Sequence, residues 1–356
     1  MINGKPLIAG IQQIGIGNAH VHDTWRWYRE HFNFDVPIFE EAAEARLMLP
    51  YTGGEPRKRH AILALNLRGG GGLEIWQYTE RTPQPPDFQP QLGDLGIYIL
   101  KIKSSNVEAT YQFLRNKKAN ILNGITLNPA AQKHFFLSDP YGNLVEVVEE
   151  EQGWFSKGKA SMGGVFGCTI GVSDINRSLP FYRDVLGYDE VVFDETASFN
   201  DFHSIPGGSE SCRRVLLRHS IPRSGAFSRL LGSNEIELVQ VKNRKPRQIF
   251  ENRFWGDLGY IHLCFEIAGM DAMREKCKAL GHPFTVDSGD SFDMGEAAGH
   301  FSYIEDPDGT LIEFVETHKV PLLKKIGWYL DLRKRPHGKS LPDWMVRALG
   351  FGRVKN

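Results

Sequence analysis

No stretch of this 356-residue sequence is apolar for long enough to span a bilayer, and the start "MINGKPLIAG" lacks the basic opening and long apolar run of a secretory signal. A cytoplasmic address is therefore expected, with no role for a membrane. Cysteine is scarce as well: Cys168, Cys212, Cys264 and Cys277 form no CxxC pair. A chain of this size needs no disulfide staples, so they read as reduced packing residues rather than thiol chemistry. Charge of one sign is also lacking, since 42 Lys and Arg face 43 Asp and Glu. Without a basic surplus, nucleic acid binding has no support.

What is present is a hydrophobic fraction of 41%, enough for a large core in more than one compact unit. The one charge imbalance lies at the end, where residues 318–356 carry ten Lys and Arg against two Asp. There "PLLKKIGWYLDLRKR" and "LPDWMVRALGF" space their apolar residues as amphipathic helices would, so a basic helical tail packed on the body is expected. The glycine run "RGGGG" from Arg68 to Gly72 is followed by no helix, which makes it a hairpin turn rather than a phosphate loop.

The sequence repeats itself. "GDLGIYILKIKS" (Gly93 to Ser104) returns as "GDLGYIHLCFEI" (Gly256 to Ile267), "WYREHFNFD" as "FYRDVLGYD", and "DPYGNLVEVVEE" as "DPDGTLIEFVET". Each unit opens on a strand, continues with an amphipathic helix such as "DTWRWYREHF" or "INRSLPFYRDVL", and closes on a strand holding a glutamate. Four modules result, at about 7–80, 93–150, 164–242 and 256–317, joined by linkers rich in Pro, Gly and polar residues.

The closing glutamates are physically odd. In "LIEFV", Ile312 and Phe314 face one side while Glu313 shares the other with Leu311 and Val315, so both faces look buried. A carboxylate there costs several kcal/mol unless it meets an Arg, a Lys or a metal cation.

This arrangement resembles the vicinal oxygen chelate superfamily, which includes glyoxalase I, extradiol dioxygenases and methylmalonyl-CoA epimerase. The resemblance covers about residues 7–317 and rests on "SDINRSLPFYRDVLGY", "HLCFEIAGMDAMREKCKALG" and "DPDGTLIEFVE". It implies an α+β fold in which four βαβββ modules pair into two open barrels, each able to enclose a divalent metal. Ligands in such proteins come from the first and last strands of a module. The first-strand positions here are Gln13, Ile99, Gly167 and His262; the last-strand positions are Glu74, Glu146, Glu237 and Glu313.

Pairing decides the site. In chain order, the commoner arrangement in the family, one barrel receives Gln13, Glu74, Ile99 and Glu146 and the other Gly167, Glu237, His262 and Glu313, each short of a ligand. If the first module pairs with the fourth, one barrel collects Gln13, Glu74, His262 and Glu313, and the other is degenerate. The second arrangement is preferred here. Its ligand set is the pattern of glyoxalase I and suits one Zn, Ni, Co, Mn or Fe(II) ion.

The implied activity is that of a metal-dependent lyase or isomerase, with Glu313 or Glu74 moving a proton beside a chelated carbonyl of a small molecule bearing adjacent oxygens. A ring-cleaving Fe(II) dioxygenase, which would want a second histidine, and a non-catalytic drug-binding protein are the alternatives. Glutathione dependence is not implied, and a homodimer is compatible with the pattern.

Overall fold

The computed structural model describes residues 5–158, 160–289, 292–294, 297–323 and 328–354. The first module comprises β1 (Leu7–Gly17), α1 (Val21–Phe32), β2 (Val36–Glu44), β3 (Lys58–Leu65) and β4 (Gly72–Tyr78). The second has β5 (Gly96–Ser104), α2 (Val107–Asn116), the short β6 (Asn120–Ile121) and β7 (Thr126–Leu127), then β8 (Lys133–Ser138) and β9 (Leu144–Glu149). In the third are β10 (Met162–Gly171), α3 (Ile175–Pro180), β11 (Glu190–Ala197), β12 (Cys212–Arg218), α4 (Ser228–Leu231) and β13 (Glu235–Val241). The fourth holds β14 (Gly259–Ala268), α5 (Met270–Ala279), β15 (Val286–Asp287), β16 (Phe292–Met294), β17 (Ala297–Glu305) and β18 (Leu311–Leu323), before β19 (Trp328–Asp331) and α6 (Asp343–Ala348).

Among the described residues these strands form two curled sheets, one of ten strands (eight in line, with β16 beside β17 and β19 beside β18) and one of nine (eight in line, with β7 beside β8). The first runs β15-β17-β18-β14-β1-β4-β3-β2, so the first and fourth modules share it through antiparallel β1 and β14. The second runs β11-β12-β13-β10-β5-β9-β8-β6 and unites the middle modules through β5 and β10. Chain-order pairing is excluded. In both sheets the first and last strands of a module lie side by side and parallel, as β1 with β4 and β14 with β18.

The helices and the outer sheet faces make one core. On α1 the buried positions Val21, Thr24, Trp25, Tyr28, His31 and Phe32 follow the helical repeat, and their apolar members pack with Ile14 and Ile75 of one sheet and Val165 and Ile170 of the other. The repeated motifs link the sheets. The Tyr28 hydroxyl of "WYR" donates to Asp139 of "DPYG" at 3.0 Å, and the Tyr182 hydroxyl of "FYR" donates to Asp306 of "DPDG" at 2.8 Å. Each aspartate also accepts backbone N–H groups of its own turn. Consecutive modules, divided between sheets, are thus joined by one buried hydrogen bond apiece.

Three local features depart from, or explain, the sequence pattern. The helix expected over "INRSLPFYRDVL" breaks at Pro180, which has no N–H to donate, and continues as a π turn over Phe181–Val185. At the helix ends of the "WYR" and "FYR" repeats, Asn33 (φ 56°) and Gly187 (φ 74°) occupy the left-handed region, which is why these positions carry Asn and Gly. Among the described residues, the tail is α-helical only in its second half. In "PLLKKIGWYLDLRKR", Pro321 to Leu323 extend β18 and Trp328 to Asp331 return as β19, with Val320 opposite Leu330; residues 324–327 lie outside the described set. An apolar pattern this short fits period two as well as period 3.6, and the free edge of β18 supplies the pairing that favours the strand.

Candidate metal centre

Parallel register builds the centre. Gly15 of β1 stands between Glu74 on β4 and His262 on β14, while Gln13 lies two residues earlier, opposite Cys264. Cys264 in turn pairs with Glu313 on β18, so Gln13 with Glu74 and His262 with Glu313 occupy equivalent places in the two modules. All four side chains are buried, at 4, 9, 0 and 7% exposure for Gln13, Glu74, His262 and Glu313.

The His262 Nε2 lies 3.1 Å from Glu313 Oε2 and 3.3 Å from Glu74 Oε2, and Gln13 Nε2 donates to Glu74 at 3.2 Å. One ligand atom from each of Glu74, His262 and Glu313 fits within 4.8 Å of the others. Trp255 lies parallel to the imidazole and Tyr303 meets it edge-on, at centroid distances of 6.1 and 5.6 Å, which fixes the ring. Burial pushes the His262 imidazole down, but the carboxylates of Glu313 and Glu74 outweigh burial and raise it to about 9.

These residues suit a dication. Gln13 Oε1, Glu313 Oε2 and both His262 ring nitrogens are buried without an aligned hydrogen-bond partner. Buried polar atoms left unsatisfied are costly unless a partner such as a cation takes them. Two carboxylates, one imidazole and one amide oxygen form a mixed O/N set for Zn, Ni, Co, Mn or Fe(II).

Gly15 leaves the room. A β-carbon at this position would lie 2.3 Å from Cε1 of His262 and 2.5 Å from Nδ1. Gly15→Ala is expected to drive the imidazole from its place, destabilising the protein by about 1–3 kcal/mol and abolishing metal uptake. Urea unfolding together with metal analysis of the variant checks both.

In the second sheet the equivalent of Gly15 is Lys101, directly opposite Glu146. Its ammonium lies 2.7 Å from Glu237, 2.9 Å from Glu235 and 3.6 Å from Glu146, all fully buried. Arg214 pairs with Glu237 and, at 2.6 Å, with Asp201. Burial pushes the Lys101 ammonium down, yet the three glutamates overcompensate and keep it charged. Glu237, raised by burial, is carried down to about 2 by Arg214 and Lys101. The covalent cation takes the place a metal would have, and Ile99 joins the apolar side of this barrel. Neither Lys101 nor Arg214 was expected from sequence.

Above the candidate centre opens a cavity of about 910 Å³, with Gln13, Glu74 and Glu313 in its wall. Trp76, Trp255, Phe301 and Tyr303 line the buried part; Leu349 and Phe351 of the tail stand at its outer edge. Further along β14 the wall includes Glu266, 3% exposed, which accepts from Gln12 at 2.5 Å and from the Thr317 hydroxyl at 2.9 Å. Burial outweighs these bonds and raises its carboxyl from an ordinary 4.5 to about 8.

A raised folded-state value means that Glu266 favours folding while protonated. Its contribution is fully present below about pH 4.5 and is lost as pH rises through about 8. Glu266→Gln cannot ionise, so its stability should fall less than that of the wild type across this window, by a few kcal/mol. Denaturant midpoints of both proteins at matched pH values read the difference.

The profile described as Glyoxalase/Bleomycin resistance protein/Dioxygenase superfamily matches residues 10–147 and 165–314, and the chain belongs to this superfamily. Among solved structures, the chain resembles a putative dioxygenase from Bacillus subtilis, with TM-score 0.57 and 12% identity over 88% of this chain and 86% of that one. Glyoxalase I from Zea mays is similar at TM-score 0.50 and 12% identity, covering 88% and 92% of the two chains. A point variant of the maize enzyme gives 0.52 at the same identity, covering 88% and 92%. At such identities the likeness is one of fold. No curated protein matches. Among the described residues, no helix is long and apolar enough to cross a membrane.

Proposed function

We propose that the chain is a metal-dependent lyase or isomerase of the glyoxalase type, moving a proton next to a chelated carbonyl of an oxygenated small molecule. The observation that carries this reading is the ligand set itself: Gln13, Glu74, His262 and Glu313, with a single imidazole, the first two and Glu313 reaching the wall of a largely apolar cavity. A ring-cleaving dioxygenase centre would want two histidines and one carboxylate, and Gln13 stands where the second histidine would be.

Gln13, Glu74, His262 and Glu313 would hold the ion, which when bound polarises a carbonyl and makes the adjacent C–H bond more acidic. Glu313 lies in the cavity wall and takes that proton on a carboxylate oxygen, returning it to the neighbouring carbon. Glu74 faces it from the other module and balances charge. His262, wedged between Trp255 and Tyr303, has no freedom to swing and acts as an anchor. The aromatic walls keep water from the carbanion-like centre while the proton is in transit.

Cavity size bears on the substrate. Its volume lies near the upper end of the roughly 300–1,000 Å³ typical of pockets for drug-sized ligands. This favours a substrate with a sizeable apolar or aromatic body beside its vicinal oxygens.

The experiment is turnover of a panel of aryl α-hydroxyketones and α-ketoaldehydes in D2O, with and without dioxygen, followed by NMR. Deuterium should enter the carbon beside the carbonyl, and removal of dioxygen should change nothing. Strict dependence on dioxygen, with no exchange, would overturn the reading in favour of ring cleavage.

A further inference from the structure

A second group of donor side chains lies outside the cavity, on the first module. His22 in the first turn of α1, Glu40 on β2 and His60 on β3 each bring one ligand atom within 4.8 Å of the other two. His22 Nε2 is 2.8 Å and His60 Nε2 3.1 Å from the same oxygen, Oε1 of Glu40. The rings stand perpendicular at a centroid distance of 5.1 Å, so both Nε2 atoms can point to one spot without stacking. We infer that His22, Glu40 and His60 form a separate, outer site for a divalent transition-metal ion of the zinc, nickel or copper class.

The chemistry selects the ion. Two neutral imidazoles and one carboxylate suit borderline cations rather than Mg or Ca, which prefer all-oxygen shells. Tetrahedral metal–ligand bonds of about 2.0–2.1 Å place donor atoms about 3.3 Å apart. The contacts of 2.8 and 3.1 Å therefore need to open by only a few tenths of an ångström.

Placement on three elements gives the site a consequence. His60 shares its strand face with Ile62 of the core, whereas Arg59 and Leu63 on the other face line the cavity. Glu40 and His60 are diagonal neighbours across the β2–β3 ladder, in which Ala42 opposes His60 and Glu40 opposes Ile62. The start of α1 is tied to β4 through the Val21 N–H and Gln77. A cation here would clip the helix to the two strands at the edge of the sheet, behind the cavity wall. It is distinct from the centre at His262 in both exposure and elements: His22 and Glu40 are exposed and His60 partly so.

The test is calorimetric titration of untagged full-length protein, its buried centre already loaded, with Zn2+ and separately with Ni2+. The wild type should take up one further equivalent, reversibly and with a rise in melting temperature. His60→Ala and Glu40→Ala should lose that equivalent and the rise while retaining the buried metal and an unchanged circular dichroism spectrum. His262→Ala should still bind at the outer site. Absence of a further equivalent in the wild type, or its persistence in His60→Ala, would overturn the assignment. Because the readout is binding and not turnover, its failure leaves the catalytic reading untouched, and the reverse also holds.

Discussion

Lys101→Met should destabilise the protein by about 3–5 kcal/mol, a large share of the roughly 5–15 kcal/mol available to a typical domain. Methionine keeps much of the volume, so the effect reports on charge. Glu146, Glu235 and Glu237 are fully buried around the ammonium, and without it three carboxylates share the remaining cations. Arg214 holds Glu237 and Asp201, and Arg218 reaches Glu235 at 2.8 Å, so Glu146 is left with His134 at 2.7 Å. Combining Lys101→Met with Glu237→Gln should recover part of the loss, since the pair is coupled. By contrast, Lys133→Met breaks a pair with Glu108 that is open to solvent and should leave the urea midpoint unchanged. A Lys101→Met midpoint equal to that of the wild type would mean that the second barrel does not depend on its internal cation.

The second large effect is kinetic. Glu313→Gln keeps an oxygen donor facing His262 and nearly the same shape but removes the basic carboxylate. Turnover should fall by about two to four orders of magnitude while part of the metal is retained. Glu146→Gln, in the barrel closed by Lys101, should leave turnover intact. Stopped-flow or NMR rates for both variants, with metal content measured on the same samples, separate loss of the base from loss of the ion.

How much of this was legible beforehand differs from residue to residue. Glu313 and Glu74 stood out because a carboxylate lies in a strand apolar on both faces, and the structure buries them as that pattern requires. Gln13 and His262 were legible only through register: the repeats align them with Ile99 and Gly167, and no local property of a lone glutamine marks it. Sheet partnership was less accessible, since repeats define modules without saying which first strands will meet. The choice between β1–β14 and β1–β5 pairing rested on the completeness of one ligand set.

Lys101 was missed for a physical reason. In "YILKIKS" two lysines alternate with apolar residues, the usual mark of a strand with one wet face, yet both are fully buried. The available signal was stoichiometric: Glu146 and Glu237 need a cation, and Lys101 falls at the register of Gly15, the point where the other barrel leaves space. Arg214, on β12, is brought to Glu237 by tertiary packing and by the β12–β13 ladder. The β18–β19 hairpin is not legible in the sequence, because helix and strand periods cannot be told apart over so few apolar residues.

The proposed function requires that one barrel hold a single buried divalent metal ion and the other none. Elemental analysis of protein purified without added metal, then dialysed to strip the exposed His22, Glu40 and His60 cluster, tests it most directly. The wild type and Glu237→Gln should each retain close to one equivalent, and His262→Ala should retain none. Metal absent from the wild type, or undiminished in His262→Ala, would contradict the account.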